Sequence, residues 1–202
     1  MSEETPKGDS VILLKHVRLS FPDLFEAVQF EGKGNFSYRA SFLIDKDSEN
    51  DKLIRAAIQR TAIAKWGDKA KLIIEGNGDV AGIKGNSKQY CYISGDMKAY
   101  DGYAGKMVIS ASRPKDKGRP LVLRKNSKTE TLGAEDGVIY GGCFVNAKVS
   151  TWAQDNKFGQ GMRATLIGVQ FAADGDAFGG APPATADGFE AETATGGSDS
   201  EW

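Results

Sequence analysis

Residues 143–152 read CFVNAKVSTW. On a period of two, Cys143, Val145, Ala147 and Val149 share one face, and Phe144, Asn146, Lys148, Ser150 and Trp152 share the other. The first face is small and apolar, as a core requires. The second carries two aromatic rings and an ammonium group, which plain solvated surface does not need. Either Phe144 and Trp152 form a second buried layer under a helix, or they form a platform on which flat rings stack while Lys148 meets an anion. Both readings demand a strand.

The rest of the chain follows the same period. Residues 35–44 (NFSYRASFLI) place Phe36, Tyr38, Ala40, Phe42 and Ile44 on one face, with Ser37, Arg39 and Ser41 opposite. Residues 11–21 read as a strand stopped by Pro22. Further short strands are predicted at 90–93, 106–112, 120–124 and 162–171. One helix is predicted, over 48–66. Asp47 or Ser48 caps it, acidic residues fill its first turn, and Gly67 ends it. Leu53, Ile54, Ala57, Ile58 and Ala62 form its apolar stripe, and Trp66 anchors it to the core. Residues 76–88 read as a polar, glycine-rich loop. Short strands, glycine-rich connections and a single principal helix predict a mainly β protein with a minor α part, built as a small barrel or strongly curved sheet.

Charge divides the chain into three. Residues 10–173 hold 25 Lys or Arg against 17 Asp or Glu, whereas residues 174–202 hold seven acidic residues and no basic ones. The overall net charge of −1 hides this segregation. The expected organisation is a polar leader (1–9), one folded domain (10–173) and a disordered acidic tail (174–202), whose composition buries too little surface to offset its ordering entropy. A basic body joined to an acidic segment points to a polyanion as partner. The leader has no apolar signal region, and no run reaches the ~18 apolar residues of a membrane span, so a cytoplasmic chain is expected. Cys91 and Cys143 give neither a disulfide framework nor zinc spacing, and each sits in a strand-like run as a small hydrophobe.

Signatures of catalysis are weak. The single histidine, His16, has no partner at catalytic or metal-ligand spacing. GNGDVAG (76–82) departs from dinucleotide-loop spacing, and Gly105-Lys106 is followed by Met107 rather than Ser or Thr. No metal and no cofactor are expected. Signatures of strand binding are better. Residues 113–128 (RPKDKGRPLVLRKNSK) carry seven basic residues and one acid, read either as a solvated loop or as a finger tracking phosphates. Tyr90, Tyr92, Tyr100 and Tyr103 interleave with Lys88, Lys98 and Lys106, a pattern suited to unpaired bases.

With these stretches placed, the chain resembles the single-stranded-DNA-binding proteins of tailed bacteriophages, of the Enc34 type. The resemblance rests on LKHVRLSFPDLFEA (14–27), YRASFLIDKD (38–47), AKWG (64–67), YAGKMVISASRP (103–114), IYGGCFVNAKVSTWAQDN (139–156) and GVQFAADGDAFGG (168–180), in that order. It implies an oligonucleotide-binding (OB) fold, a role in phage DNA replication and recombination, and an acidic tail that ends in an aromatic residue. In that tail Asp199, Glu201 and Trp202 are the expected contacts to a replication or recombination protein. The setting implied is the cytoplasm of an infected bacterium.

The combined expectation is a non-enzymatic, sequence-tolerant binder of single-stranded DNA. Its groove would hold Arg39, Lys106, Arg113, Lys115, Lys117, Arg119, Arg124, Lys125, Lys148 and Arg163. Its stacking rings would be Tyr90, Tyr92, Tyr103, Phe144 and Trp152. The rivals are a metal-dependent nuclease on the same substrate and a structural or interaction protein of the phage particle. Oligomeric state is left open.

Overall fold

The computed structural model describes residues 10–30 and 32–179. Seven strands run in chain order: β1 (Val11–Phe30), β2 (Lys33–Ile44), β3 (Tyr92–Ser94), β4 (Met107–Pro114), β5 (Leu121–Leu123), β6 (Phe144–Asn156) and β7 (Gly159–Ala173). Two helices, α1 (Glu49–Trp66) and α2 (Ala70–Glu75), follow β2. The sheet order is β3-β4-β2-β1-β6-β7-β5, and a parallel β4–β7 contact at Ser112 and Thr165 closes it. Five strands therefore form a barrel in the cyclic order β1-β2-β4-β7-β6, an OB-like architecture with few open edges.

β1 makes closure work by serving two partners. It pairs with β6 through Val11–Arg18 and with β2 from Arg18 onward. Each ladder contains a bulge. Lys15 and His16 together oppose Asn146, and Phe21 and Pro22 together oppose Ala40. His16 and Phe21 take left-handed φ values of 52° and 48°, which bends the strand around the barrel. This corrects the expectation that Pro22 ends the strand. Pro22 sits in the bulge, outside the paired register, so its missing N–H costs no ladder bond.

Alternation holds along much of the barrel, although Phe42, Leu43 and Ile44 are buried in succession, as are Val149, Ser150 and Thr151. Leu14, Leu19, Phe42, Ile44, Ile109, Val145, Ala147, Val149, Met162 and Leu166 are buried together. Each of the larger side chains contributes about 1.5–3 kcal/mol by leaving water. Cys91 and Cys143 are free thiols in the same core, and burial pushes Cys91 up to about 12.

α1 plugs one end of this interior. Ser48 accepts a hydrogen bond from the Asp51 N–H at 3.2 Å, and the Gly67 N–H closes the last turn onto Ile63. Ile54, Ala57, Ile58, Ala62 and Trp66 face inward. Leu53 does not: it is 44 % exposed, because the buried stripe runs through Asp51, Ile54 and Ile58, and Leu53 falls on its flank. Asp51 is tolerated inside because Arg55 Nε (2.6 Å), the Tyr92 hydroxyl (2.8 Å) and the Asp47 N–H (2.9 Å) all donate to it. Thr61 meets Thr151, and Trp66 Nε1 donates to Asp155, so the helix touches the odd-numbered face of β6. The even-numbered face is left outside.

Two excursions lie over the outer wall. Residues 95–106 fold back so that the Tyr103 hydroxyl donates to Ser20 Oγ at 3.1 Å. Gly95 makes this approach feasible, since a Cβ there would lie 2.1 Å from the Tyr103 carbonyl oxygen. Residues 174–179, which the sequence reading assigned to the tail, return across β1 and β6, with the Phe178 N–H donating to the Gly141 carbonyl at 2.9 Å. No helix among the described residues is long and apolar enough to cross a membrane.

Candidate nucleic-acid interface

The outer faces of β2 and β4 form a floor rich in serine, interrupted by Arg39 and Pro114. In register, Ser41 faces Ser110, Arg39 faces Ser112, and Ser37 faces Pro114. Ser20 of β1 continues the first of these rows in register but is buried beneath the Tyr103 hydroxyl. The Ser41 and Ser110 hydroxyls lie 3.0 Å apart. Side chains this short let a polymer approach the sheet closely.

An aromatic cluster stands beside this floor. Phe21 meets Tyr100 with 5.0 Å between ring centroids, and Tyr100 meets Tyr103 at 5.3 Å, both edge to face. Phe21 and Tyr100 are 52 % and 51 % exposed, while Tyr103 beneath them is buried. The sequence places Phe21 at the end of a strand and Tyr100 in the segment where tyrosines interleave with lysines, without including either among the stacking rings. The one local signal that Phe21 sits in a bulge is the adjacent Pro22.

Basic residues stand at the far end of β2 and β4. The turn Lys115–Lys117 follows β4, with Lys115 Nζ 5.4 Å from the Phe36 ring and the Arg119 guanidinium 5.7 Å from the Phe25 ring. These contacts tie the finger to the β1–β2 hairpin. Arg113 works differently from expectation: it donates to the carbonyls of Gly118 (2.9 Å) and Lys117 (2.7 Å), holding the turn's shape. Arg124 pairs with Glu130 and Asp136, and Lys106 with Asp45, so those charges are answered locally. Arg39 pairs with Asp23 at 3.5 Å. Lys117, Arg119 and Lys125 are exposed.

Three of the expected stacking rings are not available to a base. Tyr90, Tyr92 and Tyr103 are buried in the core. Burial pushes the Tyr90 and Tyr92 hydroxyls well above their ordinary range, and in Tyr92 the hydrogen bond to Asp51 adds to it. Tyr103 supports Tyr100 from below.

The even face of β6 forms a second outer surface. Trp152 is 43 % exposed and Lys148 is exposed, whereas Ser150 is buried against Ser10. The alternative of a buried layer under the helix fails for Trp152, since α1 meets Thr151 and Asp155 on the other face. Arg163 lies opposite Trp152 in register and donates to Gln154 and the Lys88 carbonyl. Phe144 is half-buried, stacked on His16 at 4.5 Å. Among the described residues no three His, Cys, Asp or Glu converge as a metal site.

The barrel order and its open outer wall define an OB-fold protein. Residues 10–198 match the family described as Enterobacter phage Enc34, ssDNA-binding protein, and the chain belongs to that family, one of binding proteins rather than enzymes. It is 45 % identical over 181 residues to "Putative protein p50" of Acyrthosiphon pisum secondary endosymbiont phage 1, covering 89 % of this chain and 92 % of the relative. The structure of the single-stranded DNA-binding protein from bacteriophage Enc34 in complex with ssDNA superposes with a TM-score of 0.62 at 25 % identity, over 88 % of this chain and 97 % of that one. Its C-terminal truncation gives 0.65 at 25 % identity, over 88 % and 99 %. Gp2.5, the single-stranded DNA-binding protein encoded by bacteriophage T7, gives 0.53 at 14 % identity over 93 % and 100 %, a likeness of fold.

Proposed function

We propose that this chain binds single-stranded DNA with little regard to sequence, coating and protecting strands during phage replication and recombination in the host cytoplasm. One observation carries the reading: an exposed ring pair, Phe21 and Tyr100, borders a serine floor that leads to the exposed cations of the 115–119 turn. Unpaired bases stack on such rings whatever their identity, because every base has a π face. Lysines and arginines of the turn displace counterions from the phosphates. The short serine side chains do not reach far along base edges, so little in the floor discriminates sequence. Duplex bases, already stacked on one another, have no free face to offer the rings.

Family membership and the likeness to a DNA-bound relative support the same reading. The β6 surface with Trp152 and Lys148 extends the area available to a strand. The acidic segment is assigned two roles, competing with DNA for the basic surface and presenting Asp199, Glu201 and Trp202 to a replication or recombination protein. Those three residues lie outside the described residues.

Fluorescence titration with a poly(dT) oligomer and a duplex of equal length tests the proposal. Tight binding of the single strand, with the strand left intact in Mg²⁺ and Mn²⁺, is the expected result. Equal affinity for duplex, or metal-dependent loss of the strand, contradicts it.

A further inference from the structure

Residues 174–179 form a strap over Arg18. The Arg18 guanidinium lies 4.3 Å from the Phe178 ring and donates through Nη2 to the Asp176 carbonyl. Its Nε donates to the Gly142 carbonyl at 3.2 Å. The same guanidinium is 5.7 Å from the Phe144 ring, which stacks on His16 with 8° between planes. Gly175 passes close over Phe144, and a Cβ at Gly175 would lie 3.0 Å from that ring. Beneath the strap, then, lie a guanidinium and a stacked pair of rings.

The strap also abuts the aromatic cluster. A Cβ at Gly102 would lie 2.5 Å from the Phe178 ring, and the Gly179 N–H donates to Asp101 at 3.2 Å. Both contacts fall within two residues of Tyr100. A strand stacked on Tyr100 would therefore meet the strap next.

What the strap gives Arg18 is what a nucleotide gives an arginine: a ring face for the guanidinium to lie over and an oxygen to accept its hydrogen bond. We infer that Arg18, Phe144 and His16 form a further nucleotide-binding position, closed in the free protein by a strap that imitates its ligand. Phe178 stands where a base stacks, and the Asp176 carbonyl oxygen stands where a phosphate oxygen accepts. A bound strand displaces the strap and continues from Tyr100 onto Phe144. This inference rests on the proposed binding of single-stranded DNA and adds a position to that same surface.

The test uses the full chain and a poly(dT) oligomer. Phe178→Ala removes the imitation base and is expected to tighten binding at least about five-fold, the size of one stacked base. Arg18→Gln added to Phe178→Ala is expected to abolish that gain. Phe178→Leu, which keeps apolar area but loses the flat face, should also tighten binding, and thermal melts establish that each variant is folded. In the wild type, hydrogen exchange at the Phe178 amide should speed up on saturation with oligomer. Unchanged or weaker binding by folded Phe178→Ala and Phe178→Leu, a gain that survives Arg18→Gln, or a Phe178 amide equally protected in the complex would each overturn the strap while leaving DNA binding intact. Failure of the wild type to bind the oligomer at all would overturn the function itself, and this position with it.

Discussion

Phe21 and Tyr100 meet edge to face, 5.0 Å between centroids and 70° between planes, one from a strand bulge and the other from the 95–106 excursion. Each ring is held by the other and by Tyr103, and both remain about half-exposed. A phenylalanine with φ of 48° is rarely found without a reason, and here the bulge turns its ring outward.

The rings are therefore expected to carry binding rather than folding. Phe21→Ala and Tyr100→Ala should each weaken affinity for a poly(dT) oligomer by roughly 1–3 kcal/mol, with the circular-dichroism melt little changed. A large loss of melting temperature with DNA affinity unaltered would assign the pair to structure instead.

Trp152 offers an independent check on the β6 surface. Trp152→Ala should leave the barrel folded, because the side chain sits on the outer wall away from α1, and should weaken binding by about 1–3 kcal/mol if a base stacks there. Unchanged affinity would confine the interface to the β2–β4 floor and its neighbours.

Asp51 sets an acid limit on stability. Burial raises its pKa, but donation from Arg55, the Asp47 N–H and Tyr92 outweighs burial and holds the carboxyl below its ordinary value. A carboxyl depressed in the folded state contributes stability above its unfolded pKa of about 3.9. That contribution is lost as pH falls through the lower folded value. Asp51→Asn should cost about 1–3 kcal/mol at neutral pH, and the gap to wild type should shrink in melts carried from about pH 7 to about pH 2.5. A gap that widens in acid would contradict this sign.

Residues 180–202 hold five acidic residues and no basic ones. Removing them is expected to raise affinity for single-stranded DNA, most at low salt, where carboxylates at high effective concentration compete best with phosphates. Equal affinity in filter binding at low and high salt would reduce the segment to a solubilising one.

Much of this fold was legible because period two survives in residues 35–44 and 143–152, and because Ser48 and Gly67 mark the ends of α1. The course of β1 was not. Its bulges place His16 and Phe21 at positive φ with no glycine to announce them, so Pro22 read as a stop. The tyrosines misled for a related reason. Aromatic residues interleaved with lysines look alike in sequence whether the rings fill a core or line a groove. Tyr92 is drawn inward by Asp51 and Tyr103 by Ser20, partners far away in the chain. The cations of residues 113–128 read as uniform, yet Arg113 and Arg124 are spent on the loop's own carbonyls and carboxylates. Short α2 lacked the length to show a helical period.

Under the proposed function, stacked bases and neutralised phosphates together hold a single strand on this wall. The most direct measurement is the affinity for a poly(dT) oligomer and for duplex across a salt series. Log affinity for the single strand is expected to fall linearly with log salt, with a slope of about −2 or steeper at about −0.7 per phosphate, and duplex to bind far more weakly throughout. A flat salt dependence, or duplex bound as tightly as the single strand, would contradict it.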